Sequence, residues 1–232
     1  STPKPSSAAS DVYKRQIYPR RGSDFSVSVQ LTPPYSLWDG KDYKSTALSE
    51  QERYNWIEFH KWMLKGQWFT PLTRNGNLVL MARAEMGYLG HYNKNKVSPF
   101  ERFEVGGDGM TGYNMYGIDI ISMRGYDDGA LDPVGSNYSC AYNKYTMELR
   151  YPLLLKGQTN IYVLGFLEGG NGFTSWKEFS PFKIKRSAGI GVRLFLPVVG
   201  MVGVDWGWGF DPAAGQTKRS GSHIHFTMGM QF

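Results

Sequence analysis

Apolar and polar residues alternate with a period of two along most of the chain. Phe25, Val27 and Val29, for example, alternate with Ser26 and Ser28. This period predicts β-strands, because successive side chains of a strand point to opposite faces. Eight segments show it: 25–31, 54–70, 78–88, 143–153, 159–170, 183–196, 199–210 and 221–232. The sequence therefore predicts an all-β, antiparallel fold.

The two faces of these strands differ sharply in chemistry. Met147, Leu149 and Tyr151 share one face, whereas Glu148 and Arg150 share the other. Strands of about ten residues with one aliphatic and aromatic face are typical of a transmembrane barrel with a polar lumen. The residues expected to face that lumen are Arg83, Glu85, Glu148, Arg150, Lys183, Lys185, Arg193 and Asp205. Trp206 and Trp208 are expected to act as interfacial anchors.

The composition of the chain excludes several other classes of protein. No run approaches the roughly 20 apolar residues that a membrane helix needs, so a helical membrane protein is excluded. The net charge is +6, but the Lys and Arg residues are scattered along the chain, and we expect no nucleic-acid partner. Contact with anionic lipid head groups would account for the excess of positive charge, and so would charged side chains that are simply exposed to solvent. Cys140 is the only cysteine, so the chain forms no internal disulfide.

The connections between the predicted strands alternate in length. Long ones fall at 32–52, 91–142, 171–182 and 211–220, and short ones at 71–76, 154–158 and 197–199. Outer-membrane barrels have short periplasmic turns and longer extracellular loops, which predicts the outer membrane of a Gram-negative bacterium. Residues 1–16 lack sustained periodicity and an apolar signal core, so we expect a disordered or non-native segment there. We also expect the native N-terminus to lie further upstream. The barrel is expected to extend from residue 17 to residue 232.

The longest connection holds the triplet Arg124-Gly125-Tyr126. Loops of more than about 15 residues without secondary structure are usually functional or disordered. Eight strands alone would close a barrel just wide enough for side chains, which leaves no room for this loop and the charged residues. We therefore expect the C-terminal eight strands of a larger barrel.

The last predicted strand, 221–232, has the clearest alternation. Its apolar face is formed by Ile224, Phe226, Met228, Met230 and Phe232. A terminal strand ending in Phe resembles the signal that outer-membrane barrels present to their assembly machinery. Gly229 lies inside this strand and is expected to weaken or kink it. We expect the strand to form one side of a seam that opens and accepts an incoming strand by β-augmentation.

Several motifs in the same order resemble the BamA-type outer-membrane protein insertases of the POTRA/BamA/TamA superfamily. They are Pro-Phe-Glu-Arg-Phe-Glu-Val-Gly-Gly at 99–107, Met-Arg-Gly-Tyr at 123–126, Met-Glu-Leu-Arg-Tyr-Pro at 147–152, Gly-Phe-Leu-Glu-Gly-Gly at 165–170, Ser-Ala-Gly-Ile-Gly-Val at 187–192 and the final Phe232. The resemblance covers about 17–232. The insertion at 108–122 departs from many members and is similar to Bacteroidetes-type ones.

This resemblance implies a sixteen-stranded barrel, preceded by POTRA domains, that assembles and inserts other β-barrel proteins. The implied partners are nascent outer-membrane β-barrel proteins, outer-membrane lipids and accessory assembly lipoproteins. It also implies that the loop enters the lumen and that Arg124 pairs there with Glu148 and Glu168, with Gly125 allowing a close approach and Tyr126 completing the tip. Alternation turns Glu148 inward independently but leaves Glu168 undecided. Without the family, an exposed Arg124 in a mobile loop fits the sequence equally well.

Two rival functions stay open at this point. A TamA-like or two-partner secretion transport barrel shares the strand pattern. An outer-membrane enzyme would need a Ser or Asp nucleophile beside an oriented His, and no His has such neighbours in a recognisable motif. We therefore predict no enzyme, no catalytic residue and no cofactor. His223 and His225 share a strand face but lack an identifiable third ligand, so no metal site is predicted.

Overall fold

The computed structural model describes residues 18–44, 49–110, 116–136, 138–156, 159–196 and 200–229. Its main sheet has eight antiparallel strands, each paired with its neighbours in chain order, which confirms the all-β prediction. These strands are β1 (Gly22–Leu31), β2 (His60–Pro71), β3 (Val79–Gly90), β6 (Ala141–Lys156), β7 (Thr159–Phe173), β8 (Lys185–Leu196), β9 (Gly200–Pro212) and β10 (Arg219–Met228). Two short strands, β4 (Phe103–Val105) and β5 (Asp119–Ile121), form a separate parallel pair.

Helical structure is sparse. The described residues contain one α-helix, α1 (Glu50–Arg53), and two 3-10 turns, Tyr35–Leu37 and Trp176–Glu178. Ser49 and Glu52 cap the first turn of α1 reciprocally. None of these helices is long and apolar enough to cross a membrane.

Most strand limits differ from the sequence prediction by a few residues, and three of the differences change where predicted residues lie. β2 begins at His60 instead of residue 54, because the capped helix α1 and an irregular segment precede it. Lys183 lies in an exposed turn before β8 and not on the inner wall. β10 ends at Met228, so Gly229 follows the strand and does not lie inside it, while Met230 and Phe232 lie outside the described residues.

The alternation separates two faces of the sheet. Ile190, Trp206 and Ile224 occupy one row across β8, β9 and β10, and all three side chains are exposed on the outer face. The opposite face carries charged residues such as Glu148 and Arg193, which are buried. Apolar side chains therefore cover the outside and polar side chains the inside, as in a barrel that faces lipid.

The inner face contains two apolar clusters with a polar band between them. One cluster lies at the end with the short connections and includes Val79, Tyr162, Phe166, Phe195 and Met201. The other lies at the end with the long connections and joins the wall to the loop 91–140. The polar band between them is where the tip of that loop is bound.

The described part of the loop 91–140 is packed around a core of its own. β4 and β5 pair in parallel, and their residues Phe103, Val105 and Ile121 are buried. Gly106 and Gly107 follow β4 with φ values of 141° and 71°, which favour glycine. A Cβ atom on either residue would collide with the segment 127–130. These glycines thus allow the chain to turn closely against the loop tip.

Candidate functional site

Arg124 lies on the inner wall between two carboxylates. Its backbone N–H donates to Glu168 Oε2 at 2.9 Å, and its Nε and Nη2 donate to Glu168 Oε1 at 3.1 and 2.6 Å. Nη2 also donates to Glu148 Oε1 at 2.7 Å. The guanidinium therefore bridges β6 and β7, a geometry that the single ammonium of Lys cannot reproduce.

The bridge belongs to a wider charge network. Arg150 holds the other oxygen of Glu148, with Nε and Nη2 at 2.8 and 2.6 Å from Oε2. Arg193 and Asp205 form two hydrogen bonds of 2.8 and 2.6 Å. Arg124 Nη1 lies 3.7 Å from Asp205 Oδ1, beyond hydrogen-bonding distance. The buried charges are thus paired, as removal from water requires.

Phe166 completes the surroundings of Arg124. Its ring centre lies 3.7 Å from the guanidinium carbon, so the cation stacks on the aromatic face. The side chains of Arg124, Glu148 and Glu168 are each less than one tenth exposed. In such a site the Coulomb attraction is screened little by solvent, and loss of one partner leaves an uncompensated buried charge.

Gly125 brings the backbone of the loop against the wall. Its φ is 89°, and a Cβ atom there would lie 2.9 Å from Ser187 Cβ and 3.0 Å from Gly209 N. On the wall, a Cβ at Gly207 would lie 2.7 Å from Gly125 N, and one at Gly209 would collide with Gly125 O. Glycine is therefore required on both sides of this contact.

Tyr126 fixes the tip at the end with the long connections. Its side chain is buried in the cluster that joins loop and wall, with Phe103, Met123 and Leu131. Its hydroxyl donates to the carbonyl oxygen of Arg186 at 2.8 Å. The predicted triplet thus lies together on the wall: Arg124 contacts β6 and β7, Gly125 contacts β9, and Tyr126 contacts β8.

A buried carboxyl group, Asp132, supports the loop behind the tip. Its Oδ1 accepts hydrogen bonds from Ser139 Oγ at 2.5 Å and from Val105 N at 3.2 Å. Burial raises the pKa of Asp132 to about 7, although these two hydrogen bonds lower it. Burial and the nearby charge of Asp128 also raise the pKa of Glu104. Asp132 therefore links β4 to the segment that returns to β6.

The seam residues that the structure describes lie at one edge of the sheet. Ile224, Phe226 and Met228 are exposed on the outer face of β10. Within the described residues β10 pairs on one side only, with β9. Gly229 follows the strand with a φ of 119°, and its N–H still donates to Met201 O at 2.9 Å. The N–H of Gly229 thus continues the hydrogen bonding between β10 and β9 by one residue.

Sequence reasoning missed three contributors to the site. Gly207 and Gly209 form the floor under Gly125, and the strict alternation of Gly with Trp and Phe along β9 was the available signal. His225 Nε2 accepts a hydrogen bond from Gly125 N at 2.8 Å. These residues are 100 positions apart, and no local pattern indicates the contact.

The structure also gives His223 polar neighbours that the sequence did not reveal. Nδ1 lies 3.1 Å from Asp127 Oδ1, and Nε2 lies 2.9 Å from Ser220 Oγ. This order of Ser, His and Asp has the form of a hydrolytic triad. However, the Asp127 side chain is 83% exposed, and His223 Nε2 also lies 3.1 Å from the Ser220 carbonyl oxygen. An exposed Asp in a loop orients a base poorly, so the arrangement is a weak case for catalysis.

Comparison with known proteins connects this geometry to a family. Residues 7–232 match the Omp85 superfamily domain. Among solved structures, the chain is similar to BamA from Haemophilus ducreyi lacking POTRA domains 1–3, with a TM-score of 0.58 and 18% identity. The match covers 90% of this chain and 38% of that one, and at this identity it shows the fold. No curated protein matched the sequence.

Proposed function

Because this chain belongs to the Omp85 superfamily, we propose that it forms the C-terminal eight strands of an outer-membrane barrel that assembles and inserts other β-barrel proteins. Membership in the family supports protein insertion or transport at the outer membrane as the broader function. The observation that supports insertion is the outer face of β10, the last strand of the sheet, where Ile224 and Phe226 are exposed. In a closed barrel this strand pairs with the first strand at a seam, and a weakly paired edge is a template for another strand.

In this proposal the main chain of β10 binds the incoming strand by β-augmentation. Ile224 and Phe226 continue the apolar outer face at the edge, so a strand added there would place its own apolar side chains toward lipid. The positive φ of Gly229 bends the chain directly after β10. Binding and alignment by backbone hydrogen bonds require no side-chain chemistry.

The triplet Arg124-Gly125-Tyr126 is assigned the role of a latch. Arg124 ties the loop to Glu148 on β6 and Glu168 on β7, and Gly125 ties it to β9. A loop bound to several strands keeps their relative positions fixed. The latch therefore supplies a rigid wall next to an edge that must open and close.

The proposed partners follow from this role. Nascent outer-membrane β-barrel proteins would pair with β10, and outer-membrane lipids would surround the exposed apolar face. Accessory assembly lipoproteins are proposed from the family resemblance. A TamA-like or two-partner secretion transporter is the alternative, since it would use the same wall to move a polypeptide instead of folding a barrel.

An assembly assay tests the proposal. The full-length protein is placed in liposomes, and a urea-denatured β-barrel protein is added; its folded form is then counted by its faster migration on unheated gels. We expect faster folding than in empty liposomes and a loss of that gain with Arg124→Ala. A folding rate equal to that in empty liposomes would contradict insertion. Export of a passenger would instead indicate transport, and released fatty acid would indicate an enzyme.

A further inference from the structure

Two histidines on the inner face of β10 contact the tip of the long loop. His225 is buried and accepts a hydrogen bond through Nε2 from the N–H of Gly125. An imidazole nitrogen that accepts a backbone N–H carries no proton, so the ring is the Nδ1–H form. This contact joins the centre of the latch to the strand at the sheet edge.

The second histidine contacts the residue after the triplet. His223 Nδ1 lies 3.1 Å from Asp127 Oδ1, and its Nε2 is held by Ser220 at the start of β10. The rings of His223 and His225 stack with their centres 6.0 Å apart and an angle of 23° between their planes. Consecutive inward positions of β10 are thus both directed at the segment 125–127.

The neighbouring strand leaves room for these contacts. The inner face of β9 opposite the histidines is Gly207 and Asp205, the strand partners of His223 and His225. Since Gly207 has no side chain, the tip can lie against β9 and still contact β10. The loop tip therefore spans from β7, through Glu168, to the edge strand itself.

We propose that His223 and His225 form a clasp that fastens the loop tip to β10, so that β10 can leave its closed position only when the tip is released. The effect of the clasp on the opening of β10 rests on the proposed insertion function, whereas the contact between the histidines and the loop tip does not. Under it, His223 and His225 are positioning residues that couple the latch to the seam.

The clasp is tested first by hydrogen exchange on the full-length protein in detergent micelles. His225→Phe removes the acceptor and fills the space, whereas His225→Gln retains an acceptor oxygen near Nε2. We expect exchange in the peptide that contains Gly125 to rise on the order of tenfold in the Phe variant, because one hydrogen bond to the backbone is lost. The Gln variant should lie close to the wild type. His60→Phe, on β2 away from the tip, is the matched control and should leave this peptide unchanged.

Three results of this experiment decide the clasp. Equal exchange in His225→Phe and the wild type overturns it. A rise in both His225 variants and in β7 peptides would show general loosening of the fold, which also overturns it. A rise confined to the tip and to the Phe variant supports it, and this readout does not depend on whether the protein inserts barrels.

Coupling to the seam is tested by a tether. Asp127→Cys and His223→Cys are combined in a Cys140→Ser background and joined by a short thiol-specific, reducible crosslinker. We expect liposome assembly activity to fall at least fivefold when the tip is tethered and to recover on reduction. Full activity of the tethered protein overturns the coupling. If the wild-type protein fails to assemble barrels in the same liposomes, the proposed function is wrong, and exchange at Gly125 alone decides the clasp.

Discussion

Removal of the Arg124 side chain should destabilise the barrel wall more than loss of any exposed ion pair. Arg124→Ala deletes two hydrogen bonds to Glu168 and one to Glu148. Loss of one partner of a buried pair costs about 3–5 kcal/mol. Arg150 still neutralises Glu148, and Lys144 Nζ lies 3.9 Å from Glu168, so we expect the lower end, about 3 kcal/mol. Arg124→Lys retains the charge but not the fork and should cost about 1–2 kcal/mol.

The assay is equilibrium unfolding of the full-length protein in urea, with a double-mutant cycle between Arg124→Ala and Glu168→Gln. Contacting charged residues should show a coupling of about 2 kcal/mol. Arg186→Ala is the control, because the Arg186 side chain in its pair with Asp211 is 65% exposed, and little loss is expected. Additive effects in the cycle, with coupling below about 0.5 kcal/mol, would refute the latch.

Gly209→Ala and Asp132→Asn should change the stability of the protein in opposite directions. Gly209→Ala should loosen the tip and lower the unfolding midpoint, because the new Cβ would collide with Gly125 O. Gly165→Ala is the control and should be tolerated, because a Cβ there would meet only one atom, at 3.9 Å. An equal loss of stability in both variants would contradict the contact between Gly209 and Gly125. The pKa of Asp132 is raised to about 7 in the folded protein. Between about pH 4 and pH 7 the Asp132 carboxyl group is therefore protonated in the folded protein but ionised in the unfolded chain. The free energy of unfolding consequently falls as the pH rises through this window. Asp132→Asn stays neutral, so its thermal midpoint should exceed that of the wild type by more at pH 8 than at pH 5, and a constant difference would argue against this role.

Much of the fold could be predicted from the sequence because it depends on local alternation. Alternation predicts that Glu148 faces inward, opposite Met147 and Leu149, and its side chain is buried on the inner face. Glu168 could not be placed, because the inner face of β7 before it is apolar. Tyr162 and Phe166 contribute there to the cluster at the end with the short connections. An inner face with both apolar and charged zones hides the period-two signal.

The interior of the long loop was beyond sequence reasoning for a different reason. β4 and β5 have three residues each, too few to show a period, and their parallel pairing joins segments separated by more than ten residues. The contact between His225 and Gly125 depends on how the whole loop enters the lumen. Such contacts arise from tertiary packing, so only the resemblance to a family could anticipate the tip.

The most direct test of the central claim is crosslinking from β10 during assembly. A photoreactive residue replaces Ile224, and the same residue replaces Ile190 on β8 as the control. Both isoleucines lie beside Trp206 on the outer face, with 66% and 63% exposure, but only Ile224 belongs to the edge strand. We predict that a nascent β-barrel protein is captured from position 224 and not from 190. Equal capture from both positions, or capture only from the long loops, would contradict insertion at the β10 edge.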